Sequence, residues 1–177
     1  DKTTIMTAEN YGHFGLPTNA EALLLIEVDG MSETVVDNEA AVVAKVVTAN
    51  NGELKIAASE SEREQLWAAR RAALPALAQL NNCLILEDAT VPRSRIPEML
   101  VVCQQIANKY ALKMGTFGHA GDGNLHPTIV ADKSDHEEMH RVHKAVDEIF
   151  SATLGFGGTL SGEHGIGVSK KKYLIDE

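Results

Sequence analysis

The sequence predicts an α+β domain with a ferredoxin-like, split βαβ sheet and helices on one face. Apolar runs bounded by turn residues alternate with stretches that have apolar residues at helical spacing. Strands separated by helices need crossover connections, which indicates a two-layer domain. The strands are few and their pattern is mixed, which favours a split βαβ sheet over a doubly wound one. At 177 residues and 44% apolar composition, residues 1–177 suit a single domain.

Strands are predicted where apolar residues run almost without interruption between turn residues. The first, AEALLLIEVD, is closed by Gly30, and a later one, CLILEDATV, is ended by Pro92. A strand of residues 113–117 runs into a glycine-rich loop, and the sheet resumes after it. The predicted strands cover residues 20–29, 54–57, 83–91, 113–117 and 126–131.

Four helices are predicted from apolar residues at helical spacing that follow a capping residue. Their start signals are Ser32, Ser59 or Ser61, Pro97 and Asp135. The first ends at Asn51-Gly52, and Pro75 should kink or restart the second. Pro97 suits the first turn of the third helix, where its missing N–H costs nothing.

The composition excludes several classes of protein. A formal net charge of −9 makes the chain a poor general binder of nucleic acid or anionic membranes. No stretch approaches the ~20 apolar residues of a membrane span, so an integral membrane protein is not expected. Cys83 and Cys103 lack CxxC spacing and lie in apolar surroundings, so both are predicted to be buried and reduced. These features favour a cytoplasmic location. The alternative is a protein attached peripherally to the inner membrane.

Ten of the 14 glycines lie between Gly115 and Gly167, in the loops TFGHAGDGNLH and GFGGTLSGEHGIG. Neither loop has the GxGxxG or GK[ST] order of a nucleotide-binding loop. The AGDGN turn lets His119 and His126 converge, and Glu163 lies in the second loop. Two histidines and one carboxylate make a three-ligand divalent metal site with open positions, the usual form of a catalytic site. The metal itself (Zn, Mn or Fe) is left open.

Several neighbouring residues have two interpretations. His164 is either a general base, because its pKa lies near working pH, or an orienter of the ligands. Asp122 and Asn124 are predicted to support the turn through their side chains. Arg70 can hold a carboxylate bidentately, although a surface ion pair is the commoner use of a helical arginine.

A second set of histidines lies on the fourth predicted helix. His136, His140 and His143 share one stripe, but they stand beside the apolar positions and among charged residues. We therefore interpret them as a solvated helix flank rather than a metal site.

The segments GHAGDGNLHP and GGTLSGEHGIGVSKKKYL resemble the C-terminal, or cap, domain of the FAD-linked oxidases. EALLLIEVDG, LWAARRAALPA and LEDATVPRSRIPEML extend the resemblance over nearly the whole chain. That family includes glycolate oxidase FAD subunits, D-lactate dehydrogenases and D-2-hydroxyglutarate dehydrogenases.

The resemblance implies an FAD-dependent 2-hydroxy-acid oxidoreductase that passes hydride from substrate to flavin. His119, His126 and Glu163 would hold the metal, His164 would be the base, and Arg70 would bind a substrate carboxylate. The implied partners are the protein's own FAD-binding domain, a small 2-hydroxy acid and an iron-sulfur electron-transfer subunit. The FAD-binding domain and the family's last C-terminal segment are missing from this chain, so the chain alone is expected to be an inactive fragment.

The chain departs from the dicarboxylate-oxidising members at two places. Leu86 stands where those members have Lys, and Leu74 where they have Thr. This favours glycolate or D-lactate over a substrate with a second carboxylate. Two other functions stay open from the residues alone: a metal-dependent hydrolase that uses the same His, His and Glu set, and a non-catalytic ligand-binding or dimerisation module.

Overall fold

A computed structural model describes residues 1–175 and 177 of the chain. The chain divides into two compact units, which are described separately. One comprises Asp1–Leu23 and Arg71–Glu177, and the other comprises Leu24–Arg70.

The larger unit contains an antiparallel sheet arranged around one long strand. Its strands are β1 (Cys83–Leu86), β2 (Ala89–Thr90), β3 (Lys113–His119) and β4 (Asn124–Ala131). β4 pairs with β3 along one side and with β1 and then β2 along the other. The predicted α+β class is confirmed.

β1 and β2 form one strand with a gap, and the gap has a simple cause. Leu86 lies opposite Thr128 and Ala89 opposite Leu125, so the register is the same on both sides. Within the gap, the Glu87 N–H donates to the Pro127 carbonyl at 2.9 Å. Pro127 has no N–H with which to complete the pair. Because the register is unbroken, Asp88 lies inside the gap directly opposite His126, the residue before Pro127 on β4.

Two helices cover one face of this sheet. They are α4 (Ile96–Lys109) and α5 (His136–Gly155). Their apolar sides and the sheet make the main core, which includes Met99, Cys103, Ile106, Met114, Leu125, Ile129, Val142, Ala145 and Ile149. All eight residues of β4 are buried, so the central strand is a rigid support.

A helix at the start of the chain, α1 (Lys2–Gly12), closes the free edge of β3. The Asp1 carboxylate accepts from the Thr116 N–H at 3.0 Å, and the Asp1 backbone nitrogen donates to the Thr116 carbonyl at 2.9 Å. Asp1 also caps α1 by accepting from the Thr4 N–H at 2.9 Å. These bonds pair backbone groups that an edge strand would otherwise leave open.

The predicted helix starts are confirmed. Asp135 caps α5 by accepting from the Glu138 N–H at 3.0 Å, and Pro97 lies in the first turn of α4. In the smaller unit, Ser32 caps α2 (Glu33–Ala49). Ser59 accepts from the Glu62 N–H at 3.3 Å at the start of α3 (Glu60–Ala78), which continues through Pro75 into the larger unit.

The strands predicted over residues 20–29 and 54–57 are wrong. Both segments lack strand structure, and their apolar side chains include Leu24, 68% exposed, and Ile56, 64% exposed. A strand needs a ladder partner as well as an apolar sequence, and neither segment has one among the described residues. Within the unit Leu24–Arg70, Trp67 Nε1 donates to Glu27 Oε2 at 3.1 Å.

The two cysteines should differ in reactivity. Cys103 is buried, and burial raises the pKa of its thiol to about 12, whereas Cys83 is half-buried. Because the thiolate is the reactive form, labelling of the native protein at pH 8 should modify Cys83 much faster than Cys103. Cys83→Ser should remove the faster phase and Cys103→Ser should keep it; the reverse pattern would contradict the assigned burial.

Candidate metal centre

The hairpin between β3 and β4 brings the first two predicted ligands together. β3 ends at His119 and β4 begins at Asn124, directly opposite it, while His126 lies two residues further along β4. Side chains of opposed residues share a face, and so do side chains two apart on one strand. His119 and His126 are therefore diagonal neighbours on one face. Their ring centroids are 5.7 Å apart, with the planes nearly perpendicular at 88°.

The turn of this hairpin depends on glycine at one position. Gly123 has φ +78, and a Cβ there would lie 2.0 Å from the Val91 carbonyl oxygen. The Val91 N–H in turn donates to the Gly123 carbonyl at 3.0 Å. Predicted turn residue Asp122 is exposed, and its N–H donates to the His119 carbonyl at 3.1 Å.

Glu163 reaches the two histidines from the second glycine loop. Its Oε1 lies 2.9 Å from His126 Nε2 and 3.7 Å from His119 Nε2. Metal bonds of 2.0–2.2 Å would set such donor atoms about 3–3.5 Å apart. One donor atom from each residue lies within 4.8 Å of the other two. The donor set and its spacing fit a divalent ion with positions left open for other ligands.

His126 is held in the form that coordinates metals. It is 3% exposed, and burial lowers the pKa of its imidazole, with a further lowering from nearby His164 and an opposing effect from Glu163, Asp88 and the Glu87 backbone. A neutral ring keeps a lone pair for a metal. Among the described residues, its Nδ1 is buried without a hydrogen-bond partner.

His164 lies beside the same carboxylate. Its Nε2 is 3.7 Å from Glu163 Oε1, and its ring stacks on His126 with centroids 4.9 Å apart and planes at 11°. The side chain is 41% exposed, so a small molecule has access to it. The side chains of adjacent residues in an extended chain point to opposite sides. In this loop, however, the side chains of Glu163 and His164 both lie beside His126.

The second loop is attached to the sheet through Asp88, which the sequence patterns did not single out as a site residue. Asp88 is fully buried in the gap between β1 and β2. Its Oδ2 accepts from Ser161 Oγ at 2.6 Å and from the N–H groups of Gly162, Glu163 and His164 at 3.0, 3.0 and 2.8 Å. Burial alone would raise the pKa of this carboxyl, but the four hydrogen bonds outweigh it and hold the pKa well below its usual range.

Lys170 completes this anchor from the other side. It is 4% exposed, and its Nζ donates to the carbonyls of Asp88 at 3.1 Å and Leu160 at 2.8 Å. The same Nζ lies 3.8 Å from Asp88 Oδ2, so the two buried charges offset each other. The signals that could have found the pair are an acid within an apolar strand and a lysine that follows the glycine loop.

Asn124, predicted to support the turn, lies beneath the second loop. It is 5% exposed and accepts from Thr90 Oγ1 at 3.3 Å. A Cβ on Gly162 would lie 2.5 Å from Thr90 Oγ1 and 2.7 Å from Asn124 Nδ2. Only glycine lets the loop backbone approach the sheet this closely at residue 162.

The other predicted residues lie on helices. Arg70 is half-buried on α3, in the unit Leu24–Arg70. His136, His140 and His143 are exposed on α5, in agreement with a solvated helix flank. Of the helices in the described part of the chain, none combines the length and apolarity needed to cross a membrane.

The fold and this cluster define an α+β domain with a candidate three-ligand site for a divalent metal. The family model "FAD linked oxidases, C-terminal domain" matches residues 1–177, and the chain belongs to that family.

Curated relatives agree with the family. The chain is 47% identical to "Glycolate oxidase subunit GlcD" of Bacillus subtilis (strain 168), over 98% of this chain and 37% of that protein. It is 35% identical to "Glycolate oxidase subunit GlcD" of Escherichia coli (strain K12), over 96% of this chain and 34% of that one. It is 33% identical to "D-lactate dehydrogenase" of Anaerostipes hadrus, over 90% of this chain and 34% of that protein. The chain thus spans about a third of the length of these relatives.

The Asp88 anchor should make stability depend on pH. Because the folded pKa of Asp88 lies below the unfolded value of about 3.9, its contribution is complete above pH 5 and is lost as the pH falls toward the folded pKa. Asp88→Asn, which leaves Lys170 buried and uncompensated, should lower the free energy of unfolding at neutral pH by about 3 kcal/mol. Urea unfolding between pH 7 and pH 3 should show this difference shrink on acidification, whereas a constant difference would exclude the anchor's role.

Proposed function

We propose that this chain is the substrate- and metal-binding domain of an FAD-dependent 2-hydroxy-acid oxidoreductase. The whole protein would oxidise glycolate or D-lactate to the 2-oxo acid. The observation that carries the proposal is the single Glu163 oxygen within 3.7 Å of Nε2 on His119, His126 and His164. The family match and the names of the relatives support the reaction class.

His119, His126 and Glu163 are the proposed metal ligands. When bound, the metal supplies a Lewis acid that fixes the α-hydroxyl and carboxylate of the substrate and makes the hydroxyl proton easier to remove. Zn, Mn and Fe all suit a donor set of two imidazoles and one carboxylate. Support comes from the spacing of the donor atoms and from burial of His126, which lowers the pKa of its ring and so favours the neutral form.

His164 is the proposed general base. An imidazole 41% exposed and beside Glu163 is accessible to a substrate hydroxyl and can be oriented toward it. His164 would accept the hydroxyl proton while the α-carbon loses a hydride, leaving a carbon–oxygen double bond. FAD, when bound, supplies the acceptor for that hydride.

Arg70 is the proposed ligand of the substrate carboxylate, since a guanidinium binds a carboxylate through two parallel hydrogen bonds. Support comes from the WAAR segment, which is similar to the corresponding element of the family. Leu86 and Leu74, at the positions where dicarboxylate-oxidising members have Lys and Thr, favour a substrate with one carboxylate. Glycolate and D-lactate meet that condition.

The rest of the machinery is proposed to lie outside this chain. An FAD-binding domain of the same protein would hold the flavin against this domain, and the chain alone would be inactive. An iron-sulfur electron-transfer subunit is the proposed electron acceptor, and the proposed location is the cytoplasm, with peripheral attachment at the inner membrane. Support comes from the two relatives named as subunits of glycolate oxidase.

Metal binding should depend on the hairpin histidines and not on those of α5. His126→Ala and Glu163→Gln each remove one of three ligands, so Mn²⁺ or Zn²⁺ affinity, measured by chelator competition, should fall by at least about 100-fold. His140→Ala is the matched control, because His140 is exposed on α5 and should leave the affinity unchanged. Full metal retention in a His119→Ala, His126→Ala double variant would exclude the site.

Substitutions of the base and of the carboxylate ligand should separate kcat from KM in the full-length protein. His164→Asn removes the proton acceptor and should lower kcat by about 10²–10⁴-fold, with metal content unchanged. Arg70→Lys loses the two-bond geometry and should mainly raise KM for D-lactate and glycolate. Arg71→Lys is the neighbouring control. Equal effects of all three substitutions, or ester hydrolysis without flavin reduction, would contradict the proposal.

A further inference from the structure

We infer that Asp88 is the positioning residue of this centre, and that one buried carboxylate orients ligands from both glycine loops. The inference deepens the proposed function and rests on the proposed metal centre. Asp88 is fully buried, and it forms a second group with His126 and His164 whose donor atoms lie within 4.8 Å of one another. We assign the metal to His119, His126 and Glu163, because Asp88 Oδ2 is already occupied by the second loop. The two oxygens of Asp88 have different surroundings.

Oδ2 holds the second loop. Four donors converge on it, and two of them are the backbone N–H groups of Glu163 and His164 themselves. Ser161 Oγ, one of the other donors, also accepts from the Gly165 N–H at 2.7 Å. The loop is thereby closed around one carboxylate oxygen, which fixes where the Glu163 and His164 side chains leave the backbone.

Oδ1 is the oxygen that the second loop leaves without a hydrogen bond. Asp88 and His126 are level across the ladder, because Leu86 lies opposite Thr128 and Ala89 opposite Leu125. An oxygen of Asp88 and a ring nitrogen of His126 lie within 4.8 Å. Among the described residues, Asp88 Oδ1 and His126 Nδ1 are both buried and both without a hydrogen-bond partner.

These two unpartnered atoms are complementary. A histidine that offers Nε2 to a metal carries its proton on Nδ1, and that N–H is commonly bound by a carboxylate. The Glu163 oxygen lies on the Nε2 side of His126, at 2.9 Å, so Nδ1 is the nitrogen left for the groups of the opposite strand, which are the Glu87 backbone and Asp88. With metal bound, a hydrogen bond from His126 Nδ1 to Asp88 Oδ1 would satisfy both atoms and fix the ring.

The test compares metal affinity in the folded, full-length protein that contains this chain. Asp88→Asn keeps the shape but removes the charge and one acceptor, so Mn²⁺ and Zn²⁺ should bind about 10–100-fold more weakly. Asp132→Asn is the matched control. Asp132 also accepts from a backbone N–H and a hydroxyl, those of Ser134, but lies beyond the opposite end of β4. The Asp132→Asn protein should bind Mn²⁺ and Zn²⁺ as tightly as the wild type.

A second variant and a second measurement cover the case in which Asp88→Asn fails to fold. Ser161→Ala removes one donor to Oδ2, and the affinity should fall by a smaller factor of about 2–10. In metal-free protein, amide hydrogen exchange over residues 161–165 should be faster than in the wild type for both variants and unchanged in Asp132→Asn.

The outcomes separate this inference from the proposed function. Weaker metal binding together with faster loop exchange supports the positioning role. Wild-type affinity in folded Asp88→Asn or, where that variant does not fold, in Ser161→Ala overturns that role and leaves the metal centre in place. A wild-type protein that binds neither ion overturns the metal centre itself, and the positioning role with it.

Discussion

The hydrogen bonds that converge on Asp88 Oδ2 are the interaction on which the rest of the site depends. Glu163 and His164 lie in a loop outside the helices and strands, which meets the sheet in a bridge at Thr159, opposite Thr90, but has no ladder to fix Glu163 and His164 themselves. Asp88 takes over that task by accepting from three consecutive N–H groups and one hydroxyl. Hydrogen bonds to an ionised carboxylate are about twice as strong as neutral ones. A flexible segment thus obtains a defined backbone from one buried charge.

Asp88 is available for this role because of Pro127. The missing N–H of Pro127 leaves the Glu87 carbonyl without its ladder donor at the gap, while the ladder keeps one register on either side. Asp88 can therefore turn its carboxylate to the loop without a shift of the strand. β4, buried along its whole length, carries His126 on the other side of that ladder. One rigid strand, its hairpin neighbour and one anchored loop make up the site.

The sequence predicted that His119, His126 and Glu163 come together, but it did not predict what supports them. His119, His126 and Glu163 stand in glycine-rich loops, where few structural roles compete with a functional one. Asp88 and Lys170 could not be found from periodicity, because a pair of buried charges is decided by which segments meet in three dimensions. The same limit explains the error over residues 20–29: AEALLLIEVD has the composition of a strand, but composition does not supply a ladder partner. Helix starts were predictable because caps such as Asp135 act within one turn.

The arrangement of charges also favours an anionic ligand. Two neutral imidazoles and Glu163 would offset only one charge of a divalent ion. The second carboxylate in the neighbourhood, Asp88, cannot offset the other, because it is buried against the loop N–H groups and lies 3.8 Å from Lys170 Nζ. The centre would therefore keep a net positive charge on its open side, where His119 and His164 are exposed. With a divalent ion in place, a centre of that charge would bind a carboxylate more strongly than a neutral alcohol.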